Sequence, residues 1–246
     1  MQFNKLGTSC PDCRLADLCL PYGLPANEVM QLANIVRKKR PLKADEHLYL
    51  QGEECQSLYA IKSGSFRSYI TNPDGSEQII GFNFPGELMG IDSLYYGRFT
   101  SSAVALETGS VCELPLPRLN ALCAEFPGLQ SQVLRVLGKE IAADRDKIVL
   151  LGHRSAQEKI SIFLLMLSKR YGALGFSERE FNLPMRRQDI ANFLGLTIET
   201  VSRQLAELNK QGIVRIKHRN VEIKDPLQLK ALVEPCHSHC SSASLG

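Results

Sequence analysis

The chain has 246 residues, of which 44% are hydrophobic and 22% charged, and its formal net charge is +3. This composition excludes a fully disordered or collagen-like chain and leaves room for one or two folded domains. The longest mostly apolar run, near 160–167, falls far short of the ~20 residues that span a bilayer. The opening MQFNKLGTSCPDC lacks the apolar stretch of a secretory signal, so the cytoplasm is the expected compartment.

The charge is unevenly spread. Residues 1–153 carry 15 Lys and Arg against 17 Asp and Glu, whereas residues 154–246 carry 14 against 9. A mildly acidic front and a basic back make the back half the candidate polyanion binder.

Residues 1–24 are punctuated by Pro11 and Pro21 and hold three thiols in ten residues, Cys10, Cys13 and Cys19. Without a secretory signal, thiols so clustered point to metal or redox chemistry. Cys10 and Cys13 can ligate one centre from a turn, and Cys19 can reach it if the chain wraps around. A fourth ligand must come from elsewhere, and Cys112 is the best candidate because the SVCEL strand holds it rigidly, at a strand edge. Spacing leaves an iron–sulfur cluster and structural zinc both open. Cys55 reads as a loop residue, Cys123 as a small residue in a short segment before Pro127, and Cys236 and Cys240 as part of a solvated tail.

Residues 25–40 read as a helix, with Pro25 in its first turn, Val29, Leu32, Ile35 and Val36 on one face, and Arg37 to Arg40 at its C-terminal end. From about 42 to 116, short β-rich segments (SLYAIKSG, SFRSYIT, EQIIGFNF, SSAVALE, SVCELPL) alternate with glycines, and Asp74-Gly75 signals a hairpin. This texture predicts a β-sandwich or barrel of jelly-roll size. After Pro127 a long helix is predicted, with Leu134, Leu137, Ile141, Ile148 and Leu151 in heptad spacing and Asp144 on the missing rung. That seam fits a two-stranded coiled coil; a single buried core helix is the plainer alternative.

Helical periodicity returns over 160–171. The stretch RQDIANFLGLTIETVSRQLAEL (187–208) then reads as helix–turn–helix. Ile190, Ala191, Leu194, Leu196 and Val201 take the packing positions, Gly195 supplies the turn, and Thr197 is the N-cap of the second helix. Glu199, Thr200, Ser202 and Arg203 are left exposed on its first turns, where a recognition helix meets base edges. Arg203 can donate to a guanine edge and Glu199 can accept from cytosine. Arg187 opens the first helix. A hairpin around 218–220 follows, carrying Lys217 and Arg219, and suits a wing beside phosphates. An ordinary helical hairpin with a solvated charged face is the plainer alternative. Residues 231–246 read as a loose tail.

These segments together resemble the Crp–Fnr superfamily of bacterial transcription regulators, in particular its FNR/ANR oxygen-sensing branch. The resemblance runs over about 10–230 and is carried by CPDCRLADLCLP, SLYAIKSGSFRSY, EQIIGF, ALETGSVCELP, GKEIAADRDKIVLL and LGLTIETVSRQL. It implies an α+β chain with a cyclic-nucleotide-binding-like β-jelly-roll over 25–127, a dimerisation helix over 128–155 and a winged helix–turn–helix over 156–230. It also implies a [4Fe-4S] cluster on Cys10, Cys13, Cys19 and Cys112, and base reading by Glu199, Ser202 and Arg203. The implied partners are a second copy of the chain, a palindromic operator of TTGAT-like half-sites, and RNA polymerase, with the Asp74-Gly75 hairpin as a contact. Enzymatic activity is not expected: no nucleophile–base pair or phosphate-cradling glycine loop is present, and a full thiolate set leaves no open metal position.

Two departures from the branch are Arg14 beside Cys13 and the CHSHC run at 236–240. Cyclic-nucleotide-activated relatives share the fold, with a Gly-Glu pair and an Arg-Ser pair on the ligand. Gly86-Glu87 is present, but Ser101 stands where the phosphate-binding arginine is required.

Overall fold

The computed structural model describes residues 10–152 and 154–233. The chain begins with two tight 3₁₀ turns, Cys10–Asp12 and Ala16–Leu18, and then forms helix α1 (Ala26–Ile35). Eight strands follow: β1 (Arg37–Lys38), β2 (His47–Tyr49), β3 (Ser57–Ser63), β4 (Phe66–Thr71), β5 (Glu77–Asn83), β6 (Leu88–Met89), β7 (Ser102–Ala105) and β8 (Ser110–Pro115). They form two four-stranded sheets, ordered β1-β8-β3-β6 and β2-β7-β4-β5, whose strand pairs are antiparallel. Helix α2 (Leu116–Glu125) leads into the long helix α3 (Pro127–Leu151).

The back of the chain comprises α4 (Ala156–Ala173), β9 (Glu180–Asn182), α5 (Arg187–Leu194), α6 (Ile198–Lys210), β10 (Val214–Lys217), β11 (Asn220–Ile223) and α7 (Pro226–Ala231). Strands β10, β11 and β9 make a small antiparallel sheet behind the helix–turn–helix. The jelly-roll, the long helix and the winged head are those expected from the sequence.

Three layers of apolar residues explain the strand patterns. Along β3, Tyr59 and Ile61 face the interior between the two sheets, where Phe66, Ala103 and Val111 meet them. Leu58 and Ala60 face the other way, against Leu20, Leu32, Leu119 and Leu129 of the N-terminal turns, α1, α2 and α3. Both faces are covered, so β3 reads as a continuous apolar run instead of an alternating one. The outer face of the second sheet, through Ile79, Phe82 and Phe84, is covered by the head, through Leu164, Phe163 and Phe193.

The structure corrects three expectations. Residues 37–40 are not helical: α1 stops at Ile35, and Arg37 and Lys38 pair with Glu113 and Cys112 of β8. Pro25 precedes the helix as its N-cap residue. Strand β8 is not a sheet edge, because β1 covers one side and β3 the other. Cys55 lies in the loop before β3, as expected, with its side chain buried and its thiol directed at the carbonyls of Ser57 and Gly90. Among the described residues no helix is long and apolar enough to cross a membrane.

Candidate functional site

The N-terminal segment is wound by consecutive tight turns: Cys13 N–H donates to the Cys10 carbonyl at 3.2 Å, Cys19 N–H to Ala16 at 3.4 Å and Tyr22 N–H to Cys19 at 3.1 Å. Such winding brings residues six and nine apart back to one place. Leu20, 1% exposed, anchors the segment in the apolar layer beside Leu32 and Leu129. The result is a cavity whose wall includes Cys10, Cys13, Cys19 and Cys112, with Lys62 and otherwise mainly apolar side chains. Four cysteines from two distant parts of the chain thus share one space.

Burial pushes the Cys10 thiol up to about 11, with Cys112 and Cys13 adding to the effect. Burial also raises Cys19, to about 12, and raises Cys112, against which Lys62 and Lys38 pull downward. As free thiols, Cys10, Cys19 and Cys112 are held protonated; metal coordination reverses that balance, because a ligated thiol is deprotonated outright. Among the described residues no three thiol, imidazole or carboxylate groups are arranged to hold a single metal ion. The four thiols line one space, and four thiolates are a donor set that suits a polynuclear cluster, whose irons take one thiolate each, or a single tetrahedral ion. Cys123 is half-buried on α2, and Cys236 and Cys240 lie outside the described residues.

The segment touches α3 directly. The Arg135 guanidinium lies 4.2 Å from the Tyr22 ring centroid, a cation–π contact. Of its 25 residues, α3 fully buries only Leu129 and Leu150. Leu134, Ile141, Ile148 and Leu151 are exposed, with Ile148 at 72%. Leu137 is half-buried, and Asp144 is exposed and bonded to Lys147 at 2.8 Å.

A second cavity, about 260 Å³, lies between α3 and the jelly-roll. Asp92, Glu140 and Asp144 line it against Lys147 as the one basic lining residue, and Ser101 stands at its wall. Glu87 faces elsewhere, accepting from Phe84 N–H at 2.9 Å and pairing with Arg170 at 3.4 Å. A phosphodiester would meet more negative than positive charge here.

In the head, Gly195 adopts φ 63 between α5 and α6, and Leu196 N–H donates to the Ala191 carbonyl at 2.9 Å. Thr197 caps α6 by accepting from Thr200 N–H at 3.2 Å. Val201, Leu205 and Leu208 form the buried face. Glu199 and Arg203 are exposed, as are Arg187, Lys217 and Arg219. Thr200 and Ser202 are only half-exposed, and the Thr200 hydroxyl lies 3.0 Å from that of Thr197, so the cap engages a residue expected to be free. Sequence reasoning singled out no residue for the join between head and jelly-roll, which the structure places on α5 and β5; no local signal marks it.

Two family models match the chain: the cyclic nucleotide-binding domain over residues 39–126 and the Crp-like helix-turn-helix domain over 158–232. The fumarate and nitrate reduction regulatory protein of Salmonella typhimurium (strain LT2) is 42% identical over 232 residues, covering 94% of this chain and 93% of that protein. The anaerobic regulatory protein of Haemophilus influenzae is 42% identical over 234 residues, covering 95% of this chain and 90% of its own length. Among solved structures, FixK2 from Bradyrhizobium japonicum is 28% identical with a TM-score of 0.74, over 82% of this chain and 98% of that one. The chain therefore belongs to the Crp–Fnr family of transcription regulators, which bind DNA and are not enzymes.

Proposed function

We propose that this protein is a cytoplasmic oxygen-responsive regulator of anaerobic gene expression, in which Cys10, Cys13, Cys19 and Cys112 hold a [4Fe-4S] cluster. The observation that carries the reading is the shared cavity of those four thiols, formed on a segment that also touches α3. When bound, the cluster supplies an oxygen-labile centre. The chain's own residues do the rest. Leu20 and Tyr22 tie the cluster segment to the start of α3. The stripe of Leu134, half-buried Leu137, Ile141, Ile148 and Leu151 pairs with the same stripe of a second copy, and Asp144 makes that pairing marginal.

The paired heads read a palindrome of TTGAT-like half-sites. Glu199, Ser202 and Arg203 face the base edges, while Arg187, Thr197, Thr200, Lys217 and Arg219 serve the backbone. The Asp74-Gly75 hairpin is the proposed contact with RNA polymerase. The names of the relatives, which speak of fumarate and nitrate reduction and of anaerobic regulation, support the choice of target genes.

Protein purified without air should be brown and carry about four iron and four sulfide per subunit. Alanine at Cys10, Cys13, Cys19 or Cys112 should abolish the colour, whereas alanine at Cys55 or Cys123 should leave it. A colourless anaerobic preparation with stoichiometric zinc would overturn the sensor reading.

A further inference from the structure

Strand β5 is the open edge of its sheet, so alternate backbone groups along it face away from β4. One such pair, the Glu77 carbonyl and the Ile79 N–H, is met by a single side chain of the head. Asn192 Oδ1 accepts from Ile79 N–H at 2.6 Å, and Asn192 Nδ2 donates to the Glu77 carbonyl at 2.7 Å. Gln78 answers from the strand, its Nε2 donating to the Asn192 carbonyl at 2.9 Å. The amide thus does what a neighbouring strand would do, two hydrogen bonds to one edge. It does so from α5, the helix against which the recognition helix α6 is set.

Around this point the join is apolar: Phe82 of β5 packs on Phe193 of α5, ring centroids 5.2 Å apart, and on Phe163 of α4. Apolar contact holds two bodies together without fixing their register. A two-point hydrogen bond to backbone does fix it, because a shift of one residue along β5 would leave both groups unpaired. Three further polar ties cross the join: Arg67 of β4 lies 3.7 Å from Asp189 of α5, Arg170 of α4 donates to the Phe82 carbonyl at 2.7 Å and pairs with Glu87 at 3.4 Å, and Arg186 pairs with Asp45 at 3.2 Å; none of them holds β5 at more than one point, whereas Asn192 holds it at two.

We infer that Asn192 is a positioning residue that keys the DNA-binding head to β5 and so sets which half-site spacing the dimer accepts. The inference rests on the proposed reading of two half-sites by two copies. In B-form DNA, one base pair more or less moves a half-site by about 3.4 Å and turns it by about 34°. Heads keyed at two points of β5 cannot follow such a change, whereas heads held by apolar contact and the remaining single-point ties can swivel toward it.

The test uses the full chain, purified without air, as Asn192→Ala and Asn192→Asp beside the parent. Asp keeps the acceptor for Ile79 N–H but turns a lone pair toward the Glu77 carbonyl. Fluorescence anisotropy would be measured on duplexes with two TTGAT-like half-sites at the parent's preferred spacing, with one base pair added or removed, and on a single half-site. The parent should prefer its spacing by ~10-fold or more, a discrimination of the size one misplaced contact gives. Both variants should fall to within ~3-fold, with single half-site affinity unchanged within ~2-fold. Amide exchange at Ile79 supplies a readout independent of DNA: slow in the parent and fast in Asn192→Ala. A selective parent with equally selective variants would overturn the inference alone. A parent indifferent to spacing would overturn the paired half-site reading, and the inference with it. An Ile79 amide exchanging freely in the parent would remove the key itself.

Discussion

Arg203 and Lys217 are both exposed cations on the head, yet they sit on elements with different tasks. Arg203 lies on the exposed face of α6, beyond its capped start, where the proposed reading puts a base edge. Arg203→Ala should weaken binding by about 1–3 kcal/mol per half-site on the cognate operator and barely on random DNA. Lys217 is in the β10–β11 hairpin. Lys217→Ala should weaken all sequences alike and make the salt dependence shallower by about one unit of slope. Competition on cognate and scrambled duplexes at two salt concentrations separates the two, and equal losses on both duplexes for Arg203→Ala would mean that α6 is not the reader. A third residue acts on stability. Ser155 and Glu158 form a capping box at the start of α4, with Ser155 N–H donating to the carboxylate at 2.8 Å. The Arg154 side-chain hydrogen bond, followed by that backbone donor, pulls Glu158 down to about 2 from the ordinary 4.5. The folded form thus favours the ionised carboxylate, so this stabilisation is full above about 4.5 and is lost as pH falls toward 2. Glu158→Gln should lower stability at neutral pH by ~1 kcal/mol. Its Tm deficit against the parent should close between pH 4.5 and 2.5, a range set by those two values, and a constant deficit across that range would refute the assignment.

Among the elements, those with a full period were legible and the shortest were not. The helix–turn–helix announced itself through Gly195 and Thr197, and α3 through its heptads. Strand β1 has two residues and β9 three, too few to show alternation, and the cationic run at 37–40 resembled a helix end. Helix α2 was not anticipated: it starts directly after β8 with no connecting loop, and Pro117 sits in its first turn, where proline is tolerated. The four cysteines were legible as a group through spacing and resemblance, but the strand pairing that flanks Cys112 with β1 is a long-range fact no local pattern carries. On α3, the proposed pairing seam would put two Asp144 carboxylates together in a dimer. Like charges there oppose pairing by ~1 kcal/mol or more, softened by the Lys147 ammonium 2.8 Å away. Each 1.4 kcal/mol shifts the equilibrium about tenfold. Asp144→Ala should therefore dimerise and bind DNA in air without a cluster. Sedimentation showing that variant as monomeric as the parent would refute the seam.

Across the whole molecule, the outer strand β5 stands between the head and the long helix. The β4–β5 register slips between Ser68 and Tyr69, leaving Ile80 as an extra residue. This bulge lets Ile79 meet the head while Ile80 and Gly81 face the cavity beside α3. Sequence offers no sign of this, since the bulged residue is an ordinary isoleucine.

Gly86 occupies the third position of the turn from Phe84 to Glu87, at φ 88, closed by Glu87 N–H on the Phe84 carbonyl at 3.1 Å. A Cβ built there would stand 2.7 Å from the Cβ of Leu18. The fit of the thiol-bearing segment is thus gauged at a position with no side chain, on a turn that contributes no ligand. A single methyl group at 86 would act as a shim, lifting Leu18 and with it the neighbouring Cys19. Gly86→Ala should still fold its jelly-roll but surrender its iron to a chelator several-fold faster than the parent, followed as bleaching of the anaerobic protein. Equal bleaching rates would show that the segment yields without disturbing its thiols. If the rates differ, the lifetime of the oxygen-sensing state is a property that point changes outside the ligand set can lengthen or shorten, leaving the genes it addresses unaltered.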